Sequence, residues 1–204
     1  MALTWRSAII IDHLQHLFDQ SDIAVLFLFC DYKDRQHQTD RNLLAALARQ
    51  SVLQQPQLPS RAGELYHQYH QRERSLYLDD SVELLRLSTN HFRRTFVVID
   101  ALDEHIPTDD GESTMEVELL TRLLDIQQQA PGRLAMLITS RDLDFIGNQL
   151  GDRTRLEIRA KSSDVRAYVG SRISKSFRFA EEVRNNPKLA SEIVEGVVKK
   201  AHGV

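Results

Sequence analysis

A layered α/β fold built on a parallel sheet is the class this chain predicts, on three observations. Short runs at Ala24–Phe29, Phe96–Ile99 and Leu134–Thr139 are apolar at nearly every position, the composition of strands buried on both faces. Between them lie longer stretches whose apolar residues recur at helical spacing, and that alternation is what parallel strands with crossover helices require. Finally, the string Phe96-Val97-Val98-Ile99-Asp100-Ala101-Leu102-Asp103-Glu104 runs an apolar strand into three carboxylates within five positions. Ligands of open α/β sheets sit beyond the carboxyl ends of the strands, where Asp100 stands.

The elements follow in order. Trp5 to Phe18 reads as an amphipathic helix whose Ile10, Leu14, Leu17 and Phe18 face the sheet, with Asp12 and His13 interrupting what would otherwise resemble a signal core. After the Ala24–Phe29 strand, helical spacing returns at Arg41–Leu53, Arg61–Arg72 and Ser81–Asn90. Pro56 and Pro59 separate the first two, and Asp80 with Glu83 is spaced as a capping box on the third. Beyond Glu104, a polar loop over His105–Gly111 leads to Ser113, whose spacing to Glu116 fits a second capping box, and Leu120, Leu123 and Leu124 then share one helical face. Leu156-Glu157-Ile158-Arg159 alternates and reads as a half-exposed edge strand. From Ser162 the pattern is helical: Ser162 or Ser163 caps a helix to about Ser174, and Asn186-Pro187 opens another, along which Leu189, Ile193, Val197 and Ala201 recur every four residues.

A carboxylate at a strand end can hold Mg²⁺, usually through water, and an acid one turn further on can orient an attacking water. Asp100 is thus the candidate metal residue, and Asp103 and Glu104 are the candidate catalytic acids. With these residues quoted, the string resembles the Walker B segment of NACHT-type NTPases, in particular the nephrocystin-3-like branch found in fungal repeat proteins. Val25-Leu26-Phe27-Leu28-Phe29-Cys30-Asp31-Tyr32 with Gln38-Thr39-Asp40 is similar to that family's second strand and loop. Gly132-Arg133-Leu134-Ala135-Met136-Leu137-Ile138-Thr139-Ser140-Arg141 is similar to its sensor 1 strand, and Leu156–Arg159 with Asp164–Val169 to its last strand and following helix. The resemblance implies a three-layer, P-loop-type parallel sheet over residues 1–160 and the start of a helical lid over 161–204. It also implies Mg²⁺ with ATP or GTP as ligands, and Thr139 and Arg141 as nucleotide-sensing residues.

One family element has no counterpart. The phosphate-binding loop is GxxxxGK followed by Ser or Thr, and no glycine precedes Gly63. Aligning the family's first helix on Trp5–Phe18 leaves Thr4 on the motif's last position and Leu3 where lysine belongs. Met1 then reads as a start inside a longer ancestral domain, with the first strand missing. That loop supplies several backbone N–H bonds and an ammonium to the phosphates. At roughly 1.5–3 kcal/mol per charge-assisted bond, losing four removes about 6 kcal/mol or more, while micromolar binding totals only about 8 kcal/mol. The expectation is a chain without useful nucleotide affinity. The missing strand is further expected to belong between Phe96–Ile99 and Leu134–Thr139, so that its loss leaves a gap of roughly 10 Å or a novel pairing, either of which favours aggregation.

Composition narrows the function classes. The chain has 204 residues, 42% hydrophobic and 27% charged, enough for a sizeable core. A net charge of −3 lacks the basic excess of a nucleic-acid binder. No apolar run approaches the roughly 20 residues of a membrane span. Cys30 is alone, so no intramolecular disulfide forms and a reducing, cytoplasmic setting is implied. His13 with His16 and His67 with His70 have ligand-like spacing but no thiolate or third ligand, so they read as surface histidines. The functional expectation is a truncated nephrocystin-3-like domain with a signalling or scaffold role and protein partners, intact relatives among them. The alternative is an ATP- or GTP-hydrolysing switch whose phosphate loop is encoded upstream.

Overall fold

Three of the four expected strands form one sheet in the computed structural model, which describes residues 4–18, 22–70, 77–105, 117–158, 161–176, 182 and 186–201. Strand β1 (Ile23–Phe29) pairs in parallel with β2 (Arg94–Asp100), from Ile23 opposite Arg94 to Phe29 opposite Asp100. β2 pairs in parallel with β3 (Leu134–Ile138), from Thr95 opposite Leu134 to Ile99 opposite Ile138. The strand order is therefore β1-β2-β3. Of the two outcomes expected from a missing strand, a gap or a novel pairing of its neighbours, the structure shows the pairing. The ladder between β2 and β3 is regular, and Thr139 N–H continues it to the Ile99 carbonyl at 2.9 Å. No gap exists there, and among the described residues no strand pairs with the outer side of β3.

Alternate strand residues serve two apolar layers. Ala24, Leu26, Leu28, Val97, Ile99 and Leu134 join a core with α2 (Asp40–Leu53), α4 (Leu78–His91) and α6 (Glu118–Gln129). α3 (Ser60–His70) contributes Leu65 and Tyr69 to the same layer. Leu44, Leu47, Leu85, Leu119, Leu120 and Leu123 there are completely enclosed, each worth about 1.5–3 kcal/mol of transfer free energy. On the opposite face, Val25 and Val98 pack against Ile11 of α1 (Thr4–Leu17), with Leu14 and Phe27 beside them. Phe18 stacks on Phe96 with ring centroids 5.6 Å apart.

The buried stripe of α1 is accordingly Ser7, Ile11, Leu14 and Phe18, not the Ile10, Leu14, Leu17 stripe that hydrophobicity suggests. Ile10 and Leu17 stay exposed. A hydrogen bond from Ser7 to the end of β2 sets the helix rotation, one residue away from the most apolar solution.

Several local signals resolve differently from their sequence reading. α4 starts at Leu78, two residues before Asp80, and Tyr77 at its N-cap makes no side-chain cap bond. Asp80 accepts from the Tyr69 hydroxyl, and Glu83 accepts from Arg61 at 3.0 and 3.1 Å. Thr39 does cap α2, accepting from Asn42 N–H at 3.3 Å. The Ser113–Glu116 box lies outside the described residues. Between α6 and β3 the chain reverses over Ala130-Pro131-Gly132-Arg133, closed by Arg133 N–H to Ala130 C=O at 3.1 Å; Gly132 there adopts φ 76°, the conformation that follows proline in a type II turn.

The chain divides into two compact units, Met1–Gly151 and Asp152–Val204. The first closes with α7 (Asp144–Leu150), whose Ile146 enters the main core. In the second, residues 153–158 form no strand, and Leu156 is 83% exposed. The edge strand expected at Leu156–Arg159 is thus absent over its described part. α8 (Ser162–Lys175) and α9 (Pro187–Ala201) pack together, with Ile173 and Val198 buried and Arg166 paired to Glu195. Val197 of the expected four-residue stripe remains half-exposed. Among the described residues no helix is long and apolar enough to cross a membrane.

Candidate functional site

The carboxyl ends of β2 and β3 converge on Asp100. It is the last residue of β2 and only 1% exposed, yet its Oδ1 accepts two hydroxyl hydrogen bonds: 2.5 Å from Ser7 of α1 and 2.7 Å from Thr139, just past β3. Thr139 Oγ1 also accepts from Ala101 N–H at 2.9 Å, and its carbonyl accepts from Leu102 N–H at 2.9 Å. One threonine therefore fixes both the carboxylate and the turn that follows.

That turn depends on an unusual backbone. Ala101 has φ 54°, a left-handed conformation that costs a residue with a Cβ about 1–2 kcal/mol. It reverses the chain so sharply that α5 (Leu102–His105) starts immediately and returns Asp103 and Glu104 to the site. Replacing Ala101 by valine, whose branched side chain tolerates this region far less, is expected to destabilise the fold by about 2 kcal/mol or more, whereas Ala101→Gly should be tolerated or mildly stabilising. Chemical denaturation of the two variants checks this.

Asp103 is 4% exposed and spends both oxygens on one partner. Arg141 N–H donates to Oδ1 at 3.0 Å and Arg141 Nε to Oδ2 at 2.6 Å. The Arg141 side chain is itself 67% exposed, so one edge of its guanidinium is held while the remainder faces solvent. Glu104 is held more lightly: its Oε2 accepts from Tyr32 N–H at 3.3 Å, and its carbonyl accepts from Arg35 Nε at 3.0 Å. Cys30, at the end of β1, donates its N–H to Asp100 C=O at 3.0 Å. Burial, followed by the negative field of Asp100, Asp103 and Glu104, pushes its thiol pKa up to about 12. This is an inert structural thiol.

His105 ties the acidic turn to the helical layer. Its Nε2 lies 2.9 Å from Asp40 Oδ1, and the buried Nδ1 has no partner among the described residues, which places the proton on Nε2. Asp40 also accepts from Leu119 N–H at 3.1 Å. The His105 hydrogen bond first, and the Leu119 bond after it, lower the Asp40 pKa against the opposing effect of burial. Because the folded pKa lies below the ordinary aspartate value of 3.8, Asp40 adds stability that is complete above 3.8 and is lost as pH falls through the folded pKa. Urea midpoints of the parent chain and Asp40→Asn should therefore differ at pH 7, with the difference shrinking as pH falls below 3.8 and gone only below the folded pKa.

Five of the six residues singled out in the sequence are thus brought together: Asp100 with Thr139, Asp103 with Arg141, and Glu104 alongside. Thr4 is the first residue of α1, and its side chain lies outside the described residues. The residue sequence reasoning missed is Ser7, one turn further along α1. Its signal was present, since Ser7, Ile11, Leu14 and Phe18 share a helical face, but a serine on an otherwise apolar stripe draws no notice.

The donors suit magnesium held chiefly by phosphate oxygens and water. Asp100 offers one carboxylate flanked by two hydroxyls, and Oδ2 carries no hydrogen bond among the described residues. No group of three or more His, Cys, Asp or Glu among the described residues is arranged to hold a metal unaided. Mg²⁺ characteristically takes one or two carboxylates and completes its octahedron with water and substrate phosphates.

No curated protein and no solved structure matches the chain at a significant level. A family model does match, that of the nephrocystin 3 N-terminal domain, over residues 4–141. The match begins at the first residue of α1 and ends on Arg141, so it contains the whole acidic site and all three strands. With well over half of its length matched, the chain belongs to the nephrocystin 3 N-terminal family.

Proposed function

We propose that this chain carries the magnesium- and water-handling half of a nucleoside-triphosphate site, and that the phosphate-gripping half must be supplied by a segment outside residues 1–204. The observation that carries this reading is Asp100 at the carboxyl end of β2, enclosed by the Ser7 and Thr139 hydroxyls and followed at once by the Asp103–Arg141 pair. Asp100 is the residue to hold Mg²⁺, directly or through water, with Ser7 positioning its carboxylate. Held there, Mg²⁺ would supply charge neutralisation to the phosphates. Glu104 is the acid to orient water, because both Asp103 oxygens already accept from Arg141. Arg141 and Thr139 are the residues to meet the terminal phosphate.

The sheet has room for the other half. Thr139 N–H bonds inward to Ile99, so the backbone groups of Met136 and Ile138 point outward from β3, and no described strand pairs with them. The first turn of α1 lies at Asp100, against the carboxyl ends of β2 and β3. A strand added in parallel outside β3 would thus end beside Thr139, and a short loop from there would lead into α1, whose N-terminal amides favour phosphate.

In this reading the protein is a cytoplasmic signalling component that gains nucleotide control only with that segment, in the same polypeptide or from an intact family relative. Calorimetric titration of the chain alone with Mg²⁺-ATP and Mg²⁺-GTP is expected to give no saturable binding up to about 1 mM, since about 6 kcal/mol of phosphate contacts are absent. Saturable binding abolished by Asp100→Ala would overturn it.

A further inference from the structure

We propose that three glutamine side chains act as a surrogate strand that seals the outer edge of β1 against strand addition. Gln54, the C-cap of α2, accepts from Val25 N–H at 3.0 Å and donates Nε2 to Val25 C=O at 3.0 Å. Gln50 does the same for Phe27, at 3.0 and 2.9 Å. Gln38 donates to Phe29 C=O at 3.1 Å and accepts from Asp31 N–H at 2.9 Å. Each primary amide thus offers one donor and one acceptor to the strand, as the N–H and C=O of one residue of a neighbouring strand do.

The spacing makes this possible. Four helical residues rise about 6 Å and two strand residues about 6.6 Å, so glutamines at i and i+4 of an antiparallel helix stay in step with alternate outward residues of a strand. Continuing the pattern would use Ala46, which has no amide; Gln38 takes over from the preceding loop. β3 has no such cover. Gln127 donates to Leu134 C=O at 3.1 Å, but no hydrogen bond reaches the outward groups of Met136 or Ile138 among the described residues. An unpaired edge invites strand addition, and a sealed one refuses it. The proposal is independent of whether the acidic site binds nucleotide.

Residue-resolved amide exchange on the chain tests it directly. Val25 and Phe27 N–H are expected to exchange at least about tenfold more slowly than the outward Met136 and Ile138 N–H. Gln54→Leu should accelerate exchange at Val25 more than at Phe27, and Gln50→Leu the reverse. The double variant should self-associate at lower concentration than the parent chain in sedimentation velocity. Equal exchange at all four amides of the parent chain would overturn the proposal. So would single variants that leave both β1 amides unchanged, or a double variant that associates no more readily than the parent.

Discussion

In a chain extended ahead of Thr4 by an apolar strand and a GxxxxGK-Ser/Thr loop, Glu104→Gln is expected to reduce nucleotide turnover by about 10²–10⁴-fold while leaving the dissociation constant within about twofold. The reason is that orienting water serves the transition state and contributes little to the ground-state complex. Asp103→Asn in the same chain should behave differently. Its oxygens hold Arg141 at Nε and N–H, so amide replacement disturbs the cation proposed to meet the terminal phosphate and should weaken binding together with turnover. Single-turnover kinetics alongside equilibrium binding separates the two patterns. Loss of turnover with Asp103→Asn but not with Glu104→Gln would reverse the roles assigned to the two acids.

The second large effect is on stability and is asymmetric across one ion pair. Arg141→Ala leaves the Asp103 carboxylate enclosed with a single backbone N–H for company. Removing one partner of a buried pair costs about 3–5 kcal/mol, and since Arg141 is largely exposed we expect about 2 kcal/mol here. Asp103→Ala instead leaves a guanidinium that solvent can satisfy, so its cost should be smaller. Urea denaturation of both variants gives the ordering; equal costs would mean that the enclosed carboxylate is hydrated in a way the structure does not imply.

The three sheet strands were legible because burial on both faces demands unbroken apolar runs, and their shortness, flanking polar turns and β-branched residues favour strand over buried helix. The acidic site was legible for a related reason: an aspartate ending a buried strand, followed closely by two more acids, has few roles in a stable core. What escaped is what depends on partners distant in sequence. The rotation of α1 is decided by Ser7 reaching Asp100, 93 residues away, and not by the helix's own apolar pattern. Asp80 was read as a local cap, but it is taken by Tyr69 once α4 begins a turn earlier. Leu156–Ile158 has a strand's alternation and forms no strand, because alternation specifies a face and cannot supply the neighbour. Local sequence does not encode strand order either, so it left open whether β2 and β3 are separated by a gap or paired directly.

The most direct measurement is a calorimetric titration of Mg²⁺-ATP and Mg²⁺-GTP into the strand-and-loop-extended chain, with and without Asp100→Ala. If residues 4–141 hold a sound half-site, the extended chain should bind one of the two nucleotides at about micromolar affinity, restoring the roughly 6 kcal/mol of phosphate contacts, and Asp100→Ala should remove most of that binding. An extended chain that melts cooperatively yet shows no saturable binding, or binding indifferent to Asp100, would contradict the account.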